Sequence, residues 1–251
     1  EGETNAGNKV VFKDRESVDN YLASIYLQLK DRQEHWLLDL ALIGDSHSDN
    51  AYAGTTGAEV IPFENNSIEG SNSVIERDWD RYLEDVGRAN RLIIYVDSVE
   101  DKSLSPATIQ LYKAQAKIFR ALVLFDMVRI YGSIPLITTI PPDITSDNIE
   151  EVYPLYFPKQ STEKEVYDQI EKDLLEGLAE APDTKATDKT IFSKSVAKAL
   201  LAKIYAEKTL RDYAKVIQYV DQLTSDGFAL NTNYGDLYDL TPDNQDLAQR
   251  S

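Results

Sequence analysis

The chain has 251 residues, 42% of them hydrophobic, and a formal net charge of −17. It holds enough apolar material for a proper core. The charge argues against nucleic acid, whose phosphates demand basic patches, and against adsorption on an anionic membrane surface; it mainly serves solubility through self-repulsion. With no cysteine, disulfides, thiolate metal sites and a cysteine nucleophile are excluded.

In chain order, Val18, Tyr21, Leu22, Ile25, Tyr26 and Leu29 recur at helical spacing and predict a first helix over 15–30. Trp36, Leu37, Leu40 and Ile43 mark a second over 34–43. Residues 44–73 follow as a polar stretch rich in Gly, Ser and Asn, without period. A loop of that length inside a domain is usually functional or disordered. Trp79, Tyr82, Leu83, Val86, Ile93 and Val96 predict a third, long helix with Trp79 in the core. In the fourth, Ser105 is the N-cap and Pro106 takes the first helical position, where a missing N–H costs nothing; the helix stops at Gly132. From Ile118 to Ile130 almost every face is apolar, so this helix should be buried within a helical array.

Pro135, Pro141, Pro142, Pro154 and Pro158 make 133–160 extended chain and loop. Thr162-x-x-Glu165 is a capping box for a helix that buries Val166, Tyr167, Ile170, Leu174 and Leu178 and stops by Pro182. Two more helices follow, over 193–208 and 212–225. Small residues at Ala197 and Ala202, then Tyr205 and Tyr213-Ala214, read as a tetratricopeptide-type pair that lacks the Trp-x-x-Leu-Gly opening. The expectation is an all-α, tetratricopeptide-like repeat scaffold, one domain over 1–251 with long irregular loops at about 44–73 and 133–160. Most tyrosines (Tyr21, Tyr26, Tyr82, Tyr112, Tyr131, Tyr167, Tyr205, Tyr213 and Tyr219) should pack between helices. Tyr153 and Tyr156, in the Pro-rich loop, should point outward.

Catalytic motifs do not assemble. Leu40-Ala-Leu-Ile-Gly44-Asp45-Ser46 looks like the nucleophile turn of a GDSL-type esterase, but such a serine needs a histidine, ordinarily far downstream. Here the histidines are His35 and His47, and none follows. Asp45-x-His47-x-Asp49-Asn50 resembles a calcium loop, yet an EF-hand wants other residues where His47, Asn50 and Thr56 stand. No cofactor is expected, and calcium held by the acidic Asp45–Asp49 loop without EF-hand geometry is kept as an alternative. The two histidines lie twelve apart with no helical i, i+4 partner, against a zinc site.

Carbohydrate binding is better supported by residue type. Sugars need a flat aromatic face, and Asp, Asn, Arg or His for their hydroxyls. Asp45, His47, Asp49, Asn50, Tyr52, Asn65 and Asn66 offer these, with Trp36 on the preceding helix; Trp36 also fits a core position beside Leu40 and Ile43.

The strongest sequence signal joins several segments. Alanines 114, 116 and 121, Phe119-Arg120-Ala121-Leu122, then Arg129-Ile130-Tyr131-Gly132-x-Ile134-Pro135-Leu136 resemble the SusD/RagB-type nutrient-binding outer-membrane lipoproteins of Bacteroidetes. Val11-Phe12-Lys13, Trp79-x-x-Tyr82 with Arg88-Ala89-Asn90, Ser195 to Tyr205, Asp212-Tyr213-Ala214 and Gly227-Phe228-x-Leu230 fall in the family's order. The resemblance implies a non-catalytic protein on the outer cell surface, held by an N-terminal lipid on a cysteine absent from this sequence. It implies capture of an oligosaccharide or other nutrient for a SusC-like TonB-dependent transporter, with the helices toward the transporter and the loops toward ligand. It also implies a loop-rich second half beyond Leu230, so the chain reads as truncated or as a short variant. The alternatives are a helical-repeat protein-interaction module and, distantly, an esterase using Ser46.

Overall fold

The computed structural model describes residues 9–32, 34–49, 51–52, 54, 57–183, 190–230 and 232–237. Among these, every regular element is helical, and the β structure consists of an isolated bridge between Pro135 and Gln160. The fold is an all-α, tetratricopeptide-like scaffold.

α1 (Arg15–Asp31) opens with Asp14, whose side chain accepts from Ser17 N at 2.9 Å while Ser17 Oγ accepts from Asp14 N at 3.1 Å. This reciprocal cap satisfies two backbone donors that the first turn leaves open. The chain then winds as a π-helix over Glu34–Asp39 and Leu42–Ser46. α2 (Ile61–Glu64) is one turn, anchored by the fully buried Phe63. α3 (Ser73–Tyr95) is capped by Asn72, which accepts from Val74 N at 3.0 Å, and passes into a 3-10 turn at Val96–Ser98.

α4 (Pro106–Tyr131) lies at the centre. Ser105 Oγ caps Thr108 N at 3.1 Å, and Gly132 ends the helix with φ 73°, a conformation that side chains other than glycine adopt poorly. Ile118 to Val128 is buried at every position but Leu122, as the continuous apolar run requires. α3 covers one side of α4 and α6 (Glu163–Glu180) the other, with α7 (Lys194–Ala206) on α6 and α8 (Tyr213–Ser225) on α7. α5 (Ile149–Val152) is a single turn in the Pro-rich excursion before α6. The capping box of α6 is formed by Thr162 and Glu165.

Two features fix the relation of these helices. Gly177 lets α6 approach α4 closely: a Cβ there would stand 2.6 Å from Ile118 Cγ1 and 3.3 Å from the Ala114 carbonyl oxygen. Beside it, buried Arg120 of α4 donates to both oxygens of Asp173 on α6 (2.7 and 2.6 Å) and to Asn90 Oδ1 on α3 (2.7 Å). Asn90 in turn donates to the Ile137 carbonyl at 2.9 Å, pinning the extended segment after α4.

Most of the helical tyrosines pack inside or at the edge of the core. Tyr213 is 59% exposed, with Ile217 and Val220 on the same outer face of α8. No helix among the described residues covers that face. Tyr153 and Tyr156 are exposed, as their Pro-rich setting suggests.

Candidate functional site

The scaffold holds the 45–60 loop between two anchors. Upstream lies the π-wound segment, whose apolar spacing suggested an ordinary amphipathic helix burying Trp36, Leu37, Leu40 and Ile43. The structure turns it over: Leu37 and Leu38 are 65% and 62% exposed, and the buried side chains are His35 and Asp39. The polar partners waiting on α3 explain this. His35 Nδ1 lies 2.8 Å from Asp78 Oδ1, and Arg77 Nη2 donates to both Asp39 oxygens at 2.9 and 2.8 Å. π-wound turns often accompany functional sites. Downstream, Asn72 Nδ2 donates to the Glu59 carbonyl at 2.9 Å, and Phe63 is sunk in the protein.

Between these anchors, Asp45, His47 and Asp49 are all exposed, and Tyr52 is 77% exposed. Ser48 caps a turn here, its N and Oγ donating to the Asp45 carbonyl at 3.1 and 2.7 Å. Asn65 and Asn66 are exposed beyond α2. Asn50 lies outside the described residues. Trp36 is half-buried against the core, its ring 4.8 Å from that of His35 and 5.7 Å from that of Tyr82, both edge-on. Trp79 is also half-buried, edge-on to Tyr131 at 5.0 Å. The candidate surface is therefore an exposed set of acids, a histidine and a tyrosine, while Trp36 packs against His35 and Tyr82. Such a surface can present hydrogen-bonding groups and one free aromatic face to a hydroxylated ligand. Ser46 is half-buried, and His35 is engaged by Asp78 inside the protein.

Between the π-wound segment and α3 lies a buried polar cluster. Burial pushes the Asp39 carboxyl up to about 6, against the hydrogen bond from Arg77. Burial also lifts Asp85 to about 6, against the charges of Arg32 and His35. The Tyr82 hydroxyl is driven well above the usual phenol range by burial and then by the charges of Asp126 and Asp78. A separate groove of about 690 Å³ is lined by residues including Phe12, Glu16, Asn20 and Tyr21. It lies toward the other end of α3, where Glu100 N and Asp101 N donate to the Phe12 and Lys13 carbonyls, both at 3.0 Å. Asp78 and Tyr95 are roughly 26 Å apart along that helix.

The family model for SusD-like proteins described as "Starch-binding associating with outer membrane" matches residues 3–206. The chain belongs to this family. SusD-like protein P2 of Formosa agariphila is 28% identical over 211 residues, which is 83% of this chain and 36% of that protein. Among solved structures, a laminarin-binding SusD-like protein superposes with TM-score 0.73 at 24% identity, covering 90% of this chain and 48% of that one. A SusD superfamily protein from Bacteroides vulgatus gives TM-score 0.76 at 16% identity, covering 92% and 48%. This SusD-like chain thus spans about a third of the curated relative and half of the solved chains.

The structure leaves Asp45, at the end of the π-wound segment, and His47, Asp49 and Tyr52 beyond it at the surface, and it packs Trp36 against the core. The cluster that sequence reasoning missed is His35, Asp39, Asp78 and Asp85. Its signal was present: Asp78 and Asp85 fall on the same stripe of α3 as Val74, Tyr82 and Ala89. A carboxylate inside an apolar stripe needs a partner across the interface.

Proposed function

We propose that this SusD-like chain is a non-catalytic glycan-binding protein of the outer cell surface. It would use the 45–60 loop and Tyr52 to hold an oligosaccharide for a TonB-dependent transporter of SusC type. Membership of a family described as starch-binding and outer-membrane-associated carries the proposal. The laminarin-binding relative of the same fold supports a carbohydrate ligand. The exposed tyrosine beside Asp45, His47 and Asp49 supplies the residue types that sugars require. In this reading the helical array faces the transporter, a lipid anchors the protein to the membrane, and Asp45 and Asp49 are the residues to hold calcium if the capture depends on it.

Affinity electrophoresis of the 251-residue chain against a panel of soluble polysaccharides, with and without calcium, tests the proposal. Retardation by one glycan, lost in Tyr52→Ala, supports it. No retardation by any glycan favours the reading as a helical-repeat protein-interaction module.

A further inference from the structure

Three buried side chains between the π-wound segment and α3 offer metal-ligand chemistry. His35, Asp39 and Asp78 are 0%, 4% and 0% exposed, and one ligand atom from each lies within 4.8 Å of the others. Metal–nitrogen and metal–carboxylate bonds run about 2.0–2.2 Å, so ligand atoms at the corners of a tetrahedral site stand about 3.4 Å apart. Each of the three atoms reaches bonding distance by an inward movement of up to about 0.8 Å.

A second observation points to an occupant. His35 Nε2, Asp78 Oδ2 and the Tyr82 hydroxyl are buried without a hydrogen-bond partner. The Tyr82 ring stands 4.3 Å from the His35 ring. Each such atom costs about 1–3 kcal/mol if left unpaired. Arg77 is bonded to Asp39, whereas Asp78 faces the His35 imidazole and the Asp39 carboxyl. A cation bound at His35 Nδ1, the nitrogen that faces Asp78, would take up the unpaired Asp78 Oδ2 and an Asp39 oxygen with it. Oxygen-only sets suit calcium and magnesium, whereas an imidazole beside two carboxylates suits zinc, manganese, iron or cobalt.

We propose that His35, Asp39 and Asp78 form a site for one divalent transition-metal ion, which ties the π-wound segment to α3 and so fixes the base of the 45–60 loop. His35 and Asp39 lie four residues apart on consecutive turns, and Asp78 comes from the opposing helix. The ion therefore joins two elements that otherwise meet through the Arg77–Asp39 pair and the edge-on packing of His35 and Trp36 on Tyr82. The site is distinct from the exposed Asp45–Asp49 calcium position and does not depend on glycan binding.

The test uses the intact chain, freed of metal with a chelator and titrated with Zn²⁺, with Ca²⁺ as the hard-cation control. Because the chain has two histidines, long-range proton–nitrogen spectra report each ring separately. Zn²⁺ is expected to bind one per chain, to move the His35 ring nitrogens and leave those of His47, and to raise the melting temperature; Ca²⁺ should not move His35. Asp78→Asn should weaken Zn²⁺ by more than the roughly 10–100-fold that loss of an outer-shell partner costs, while Asp45→Asn leaves it unchanged. If Asp78→Asn does not fold, the wild-type spectra still decide. Movement of His47 alone, or of neither ring, overturns the proposal and leaves the cluster holding a proton or water only.

Discussion

Arg120 carries the largest single stability consequence that can be worked from this structure. It is 5% exposed, spends three hydrogen bonds on Asp173 and Asn90, and so joins α3, α4 and α6 at one point. Replacing it with Met keeps the apolar stem but leaves Asp173, 1% exposed, with Gln169 Nε2 at 2.9 Å as its remaining hydrogen-bond partner. Breaking a buried pair by removing one partner costs about 3–5 kcal/mol, because the other charge stays buried. Against a total of about 5–15 kcal/mol for a domain, that is a large fraction. Removing both charges is a different matter, since well-packed apolar replacements of buried pairs are often neutral. The double variant Arg120→Met/Asp173→Leu should therefore recover most of the loss. It keeps a residue of about 1–3 kcal/mol from the stranded Asn90 Oδ1. Urea unfolding followed by far-UV circular dichroism measures all three variants, with an unchanged m-value required for the comparison. A loss below about 1 kcal/mol in Arg120→Met, or a double variant no more stable than that single variant, would refute the reasoning.

Gly177→Ala sets a helix-propensity gain of about 1 kcal/mol against an overpacking cost of about 1–3 kcal/mol from the contact with Ile118. The melting temperature should fall, and Ile118→Ala, which removes the clashing Cγ1, should cost less in the Gly177→Ala chain than in the wild type. Ser105→Ala removes the cap on Thr108 N and should cost about 1 kcal/mol in urea unfolding; no change would mean the α4 terminus is held by other contacts. Burial holds the Asp126 carboxyl up to about 6, offset in part by Arg129, Lys203 and His35. Its folded pKa lies above the unfolded value of about 3.9, so the folded chain binds this proton more tightly. The resulting penalty is full above pH 6 and is relieved as the pH falls toward 4. Asp126→Asn should accordingly raise the melting temperature more at pH 7.5 than at pH 5, and the opposite order counts against the assignment. Tyr52→Ala should abolish glycan retardation while leaving the melting temperature unchanged, because that side chain is largely in solvent.

The scaffold was readable because its signals are local. Ser105-Pro106, Thr162-x-x-Glu165 and the unbroken apolar run after Ile118 each dictate a cap or a burial pattern regardless of what lies elsewhere. Helix ends fell within a residue or two of their sequence positions. The π-wound segment was not readable, because its orientation is decided across an interface: Arg77 and Asp78 of α3 draw in Asp39 and His35, and Leu37 and Leu38 turn outward. Propensity and periodicity carry no information about such a partner forty residues away. The exposed candidates in the loop could be named by chemistry, whereas of the buried cluster only the α3 half, Asp78 and Asp85 within an apolar stripe, left a signal. The outward face of α8 at Tyr213, Ile217 and Val220 was hidden too, since tyrosine at helical spacing looks alike on a covered face and an open one.

The central claim is that a loop held off a helical scaffold captures a glycan. Hydrogen exchange of the chain with and without the polysaccharide that retards it most tests this directly. The account expects protection in peptides covering 45–60, with the exchange of α3, α4 and α6 unchanged. Protection confined to the Ile149–Phe157 segment or to the face of α8, or none at any concentration of any glycan, would contradict it.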